Sequence, residues 1–428
     1  MQSVISKLLC GNGILIITLL FGLNSYAQEN IEKYVKENAN RIYTVDPDSI
    51  NYKDLQVIGD AIGDATIVML GEQDHGDAPA FLAKTRLIKY LHEQKGFNVL
   101  AFEDDFFGLN YGWDQIKKDN QVIDSFIKKT VYPIWAYCTA CQELFYNYIP
   151  STFKSGSPLQ LSGFDPQVEI HNVMIKLDST IRRLKLSITL SENYQTEVVN
   201  VMKNWGKNIK DTSLNNRYLG YLTRIKAELK EQVAPNDFWL LLVDNLMAEN
   251  VEFQAIGTNY WKESNTRDTQ MAMNLTWLAK HKYANEKIIV WAHNYHVSKY
   301  AGHFEESFLN EANPMGNIFT NSDFSHKTYI IGFTSFEGTA GRLTRKEKDK
   351  VAPPQSNSFE RWINSSYDYA FVDFKKFNNQ NPQQNNIGFY MSGAIRPRWY
   401  HKNHKAVWNQ IYDGVFFIRK MYPCEIIK

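Results

Sequence analysis

The run from Ala65 to Gln94 decides the fold: ATIVML (Ala65 to Leu70) leads into Gly71-Glu72-Gln73-Asp74-His75-Gly76 and then into PAFLAKTRLIKYLHEQ (Pro79 to Gln94). A short β-rich run gives way to a polar turn, and then to Leu82, Leu87, Ile88 and Leu91 at helical spacing. Pro79 falls in the first turn and Lys95-Gly96 supplies the stop, so a helix is predicted between them. NVLAF (Asn98 to Phe102) follows at once, which makes that helix the crossover between two strands.

Further β-rich runs recur at Leu159 to Phe164 (LQLSGF), Lys287 to Trp291 (KIIVW), Thr328 to Phe333 (TYIIGF), Tyr369 to Phe374 (YAFVDF) and Gly414 to Ile418 (GVFFI). Strands alternating with helices predict an α/β fold with a central, largely parallel sheet flanked by helices. From about Gln167 to residue 285 the text is amphipathic helix without a strand, ending in a predicted helix over Asp268 to Lys280. This is read as a large helical insertion, expected to lie over the strand C-terminal ends. A single domain containing this insertion is expected to span residues 28–428.

The chain has 428 residues, 44% of them hydrophobic, enough to bury a large core. Lys and Arg total 47 against 46 Asp and Glu, with no basic stripe, so neither a nucleic-acid surface nor an anionic-membrane surface is indicated. A small-molecule partner is expected instead. Lys7, the apolar run Gly13 to Leu23 and Ser25-Tyr26-Ala27 read as a secretory signal over residues 1–27, too short in its apolar part to span a membrane. The mature chain is therefore expected to be periplasmic or secreted, with no stable membrane anchor. Cys138, Cys141 and Cys424 remain after cleavage, and are read as buried thiols or as one local Cys138–Cys141 bridge.

Ligands bind outside the carboxyl ends of the strands in open α/β sheets. Four predicted strands run into polar clusters at that end: Glu72 to Gly76, Glu103-Asp104-Asp105, Asp165-Pro166-Gln167, and Ala292-His293-Asn294-Tyr295-His296. An imidazole at His75 flanked by Glu72 and Glu103 can be held in one tautomer and kept basic near neutral pH, as a general base for water requires. His293 and His296 are placed to hydrogen-bond a developing oxyanion or to protonate a leaving alcohol. Substrate-binding candidates are Arg267, at the expected mouth of a helix capped by Asp268, Lys84, pointing back to the same edge, and Glu337, after the TYIIGF strand. No serine nucleophile elbow, zinc-protease helix or phosphate loop is present. The same ligand types also fit a metal-dependent hydrolase, and a non-enzymatic ligand-binding protein of the envelope is a further alternative.

Leu70 to Gly76, the helix after it and Ala101-Phe102-Glu103 resemble the G-E-x-x-H-G segment and downstream strand-end glutamate of the erythromycin esterase family. Arg267-Asp268-x-x-Met271-Ala272, Trp291 to Val297, Pro314-Met315-Gly316 and Ile331 to Thr334 continue the likeness in order, over roughly residues 60 to 420. The resemblance implies hydrolysis of an ester or a macrolide lactone without metal or cofactor. It makes His75 the general base, Glu72 and Glu103 its acidic partners, and His293 and His296 essential to the same site. Lys84 stands where macrolide-hydrolysing members carry Arg, so recognition of a planar carboxylate there differs.

Overall fold

A computed structural model describes residues 30–207, 210–299, 304–383, 386–392 and 402–427. The expected signal, residues 1–27, lies outside them. Eight strands form the spine of one sheet: β1 (Asn40–Ile42), β2 (Ile67–Leu70), β3 (Phe97–Asp105), β4 (Gln160–Asp165), β5 (Lys287–Trp291), β6 (Thr328–Ala340), β8 (Tyr369–Asp373) and β11 (Gly414–Met421). Between them in sequence come β7 (Asp349–Lys350), which pairs with β6, and the separate hairpin of β9 (Phe389–Met391) and β10 (His404–Ala406). The order is β1-β8-β11-β6-β2-β5-β3-β4. Every pair from β11 to β4 is parallel, and β8 and β1 add antiparallel strands at one edge.

All seven predicted strands are present, and alternation along them builds two cores. Val68, Leu70, Leu100, Phe102, Ile289 and Trp291 face helix α1 (Ala78–Lys95) on one side. Ile67, Met69, Val99, Ala101, Ile288 and Val290 face the other side, where Met271 and Leu275 pack. Burial on both faces is why these strands read as unbroken apolar runs. Helix α1 is the predicted β2-to-β3 crossover, closed by Gly96 in the left-handed conformation at φ 72°.

Residues between β4 and β5 are helical and carry a third core of their own, including Leu177, Tyr218, Leu222, Leu242 and Leu246. Two of these helices reach the sheet edge, α2 (Phe238–Ala255) and α3 (Tyr260–Trp277). Helix α3 begins eight residues earlier than expected, capped by Asn259, whose side chain accepts from the Lys262 N–H. Asp268 is therefore not a cap but a buried mid-helix residue, and Arg267 stands mid-helix rather than at a helix mouth. Among the described residues no helix is long and apolar enough to cross a membrane.

The cysteines pair differently from expectation: Cys138 bonds Cys424, 286 residues away, and Cys141 is a buried thiol. A local C-x-x-C bridge loses because the C-terminal tail runs past Cys138, with the Thr139 N–H donating to the Glu425 carbonyl at 2.9 Å. The same tail grips the turn after His75. Cys424 donates its N–H to the Gly76 carbonyl at 2.8 Å, and Ala78 donates to the Tyr422 carbonyl at 3.1 Å. Replacing both half-cystines by serine lowers unfolding free energy by about 2–4 kcal/mol, because the unfolded chain loses a long-range tether. Denaturant titration of the double variant against the parent measures it, and an unchanged midpoint would refute the assignment.

Candidate active site

The register of the sheet brings the polar clusters together. Leu70 on β2, Trp291 on β5, Phe102 on β3 and Ile331 on β6 lie in one row across the strands. Whatever follows them emerges at one edge, so Glu72, Glu103 and His293 become neighbours. Asn294 holds that edge: its N–H donates to the Glu72 carbonyl at 2.8 Å and its side-chain amide pairs with both backbone groups of Phe333. Position 71 has to be glycine because a Cβ there would collide with the Asn294 side chain.

His75 sits at the centre. Its Nδ1 lies 2.7 Å from Glu72 Oε1 and its Nε2 lies 3.6 Å from Glu103 Oε1. Glu72 is sealed from solvent, and its other oxygen accepts from Lys84 Nζ. The ammonium of Lys84 also lies over the Trp291 ring at 4.4 Å. Burial pulls Lys84 down to about 8, against the attraction of Glu72. Lys84 is thus not a substrate contact: it is fully buried beneath the cavity and acts through Glu72. Replacing Lys84 by methionine leaves the Glu72 carboxylate buried without its cation. We expect a loss of about 3 kcal/mol in stability from the orphaned charge. A melting temperature equal to the parent's would show that Glu72 needs no counter-ion.

Glu103 ties the rest together. Oε1 faces His296 Nε2 at 3.2 Å and Arg267 at 3.2 Å, and Oε2 accepts the His293 N–H at 2.7 Å. Burial alone would raise its pKa, but the charges of His296, His75 and Arg267 hold it well below the usual carboxylate range. His296 is clamped on its other side by Asp268 at 2.8 Å. Burial works against its charge, yet Asp268 and Glu103 together raise it to about 10, so it is an imidazolium at neutral pH. Arg267 forks onto Asp165, which holds its charge more firmly still.

His293 differs from expectation. Its Nδ1 accepts the Tyr295 N–H at 3.1 Å, which leaves Nε2 to donate to the Gln73 carbonyl at 2.9 Å. Burial, and then the charge of His75, push it well below the ordinary imidazole value. It is a neutral ring spent on backbone groups, so it positions the edge rather than feeding a proton to a leaving group.

Above these groups lies a cavity of about 260 Å³, lined by His75, Glu103, His293, His296, Arg267 and Asp268. Trp135, edge-on to the His75 ring at 5.1 Å, and Tyr132 close one wall. Helices α2 and α3 supply Glu252, Tyr260, Glu263 and Ser264 to another. Glu337 is not part of it: β6 continues to Ala340, which carries Glu337 beyond the cavity to an exposed position near Arg419. Asp104 and Asp105 turn aside to cap backbone N–H groups of Tyr132, Gly108 and Glu169. Sequence reasoning marked Asp165 only as a strand-end acid, and missed Trp135 and Glu252 altogether. Glu252 left one trace, an acid set in the most apolar helix of the insertion. Among the described residues no group of three or more His, Cys, Asp or Glu is arranged to hold a metal ion.

A family model described as erythromycin esterase matches residues 92–421, taking in Glu103, Arg267, His293 and His296. The chain is 26% identical to YbfO of Bacillus subtilis, which carries a provisional hydrolase name, over 90% of each protein. It is 23% identical to an erythromycin esterase type II of Escherichia coli, over 92% of this chain and 99% of that one. Among solved structures it is similar to a Bacillus cereus protein at a TM-score of 0.71, with 20% identity, over 94% of this chain and 99% of that one. An erythromycin esterase variant in its open conformation matches at a TM-score of 0.68 and 17% identity, over 91% and 99% of the two chains, a likeness of fold.

Proposed function

This chain belongs to the erythromycin esterase family, and on that premise we propose that it hydrolyses a carboxylic ester or lactone with a water deprotonated by His75. The observation that carries this is the 2.7 Å contact from His75 Nδ1 to Glu72. With Nδ1–H donating to Glu72, the lone pair of Nε2 faces the cavity and takes a proton from water as that water attacks the carbonyl carbon. Charge gathers on the former carbonyl oxygen beside Arg267 and the His296 imidazolium, two cations already fixed in place by Asp165, Asp268 and Glu103. Fixed charges that need no reorganisation stabilise such an oxyanion best.

A cavity of about 260 Å³ holds the scissile group and a few atoms around it. A substrate as large as a macrolide rests most of its ring outside. Export to the periplasm or medium is part of the proposal, supported by the apolar run Gly13 to Leu23 and by the Cys138–Cys424 bridge, a bond that persists in oxidising compartments.

The test is a mass-spectrometric turnover screen of the purified protein on macrolides, simple lactones and alkyl esters, with and without chelator. Hydrated products at rates indifferent to chelator are expected. Turnover abolished by chelator would establish the metal-dependent alternative, and tight binding without turnover across the panel would establish a binding protein.

A further inference from the structure

On the hydrolase reading above, expulsion of the alcohol needs a proton donor, and the histidines beside His75 are poor candidates. His293 is neutral with both ring nitrogens on backbone groups, and His296 is held charged between two carboxylates. We propose that Glu252, contributed by helix α2 of the helical insertion, is the general acid that protonates the leaving oxygen.

Glu252 lines the same cavity as His75 and is 3% exposed. Its Oε1 accepts from Gln167 Nε2 at 2.6 Å, which fixes the carboxyl group. Its Oε2 has no hydrogen-bond partner among the described residues. A buried polar oxygen left over in this way is costly unless a ligand or a catalytic step uses it. The groups around it are Asp165 from β4, Gln167 just after it, Arg267 and Glu263 from α3, and Glu249 on its own helix. Burial pushes Glu252 up to about 7; Arg267 pulls it down and Asp165 pushes it up. A carboxyl group so placed carries its proton near neutrality, as an acid catalyst must.

The step balances without a co-reactant. His75 Nε2 takes one proton from water while the water oxygen bonds to the carbonyl carbon. The bond from that carbon to the leaving oxygen then breaks, and the leaving oxygen takes the Glu252 Oε2 proton. The acid and alcohol depart, and the proton on His75 returns to Glu252 through solvent.

Leaving-group chemistry separates this role from a structural one. An alkyl ester expels a basic alkoxide that needs the proton, whereas a 4-nitrophenyl ester expels a stable phenolate. The Glu252→Gln variant keeps the size and the Gln167 contact but has no acid. Its kcat on the alkyl ester should fall about 100-fold or more, while the aryl ester loses less than about fivefold. The parent's alkyl-ester rate should also fall as pH rises through about 7, a limb absent from the variant. Equal losses on the two esters, or no loss on either, overturn the acid role and leave His75 to return the proton itself. A parent enzyme inert on both esters and across the macrolide and lactone panel overturns the hydrolase reading and the acid role with it.

Discussion

Replacing His75 by alanine is expected to lower ester turnover by about 10³–10⁴-fold, the upper part of what a positioned general base supplies. Its Nε2 is the basic atom that both faces the cavity and is backed by a carboxylate, through Nδ1 and Glu72. His293 cannot stand in, because its nitrogens are occupied, and His296 is already protonated at neutral pH. The fold should survive, since Glu72 keeps Lys84 and Glu103 keeps His296 and Arg267. Steady-state kinetics on a substrate found in the turnover screen, beside a thermal melt, make the comparison. A variant retaining more than a tenth of the parent's kcat with its melt unchanged would falsify the assignment of the base.

The second large effect is on stability. Glu103 is the shared anion of His296, Arg267 and the His293 N–H, in a setting almost closed to solvent. Removing one partner of a buried ion pair usually costs about 3–5 kcal/mol, and three partners place Glu103→Ala near the top of that range. The same network gives a pH signature. His296 is raised from 6.5 to about 10 on folding, so the stability it adds is complete below about 6.5 and is lost as pH climbs towards 10. Between pH 7 and 8 its contribution should fall by about 1.4 kcal/mol per pH unit. Glu103→Ala removes one of the two carboxylates that raise His296, so its pH-dependent loss of stability should end at a lower pH than the parent's. Denaturant titrations from about pH 7 to 10 decide it: a limb that ends at the same pH in parent and variant means that Glu103 does not hold the imidazolium.

Much of this was legible from local sequence. The seven strands were readable because both faces of the sheet are covered, which leaves largely apolar runs such as IVML (Ile67–Leu70). The convergence of Glu72, Glu103, His293 and His296 followed from one topological fact, that parallel strands share a carboxyl edge. What escaped was settled by partners far away in sequence. Asp268 reads as a helix cap until His296 is brought against it. Glu337 looks like another strand-end acid, but β6 runs on past the sheet edge, paired with β11 as far as Gly338. Cys138 pairs with Cys424 rather than Cys141 because of where the tail lies, which no spacing rule encodes. Lys84 was read as reaching the right edge, and only its complete burial shows that it serves Glu72.

The grip of the tail on the turn after His75 has a consequence for how the enzyme is made. Gly76 and Ala78 are bonded by Tyr422 and Cys424, and β11, just before them, lies in the middle of the sheet between β6 and β8. His75, the proposed base, is synthesised well before Tyr422 and Cys424, the residues that clasp its turn. A chain cut before β11 would keep His75, His293 and His296 yet lack the strand and the strap that brace the turn after His75.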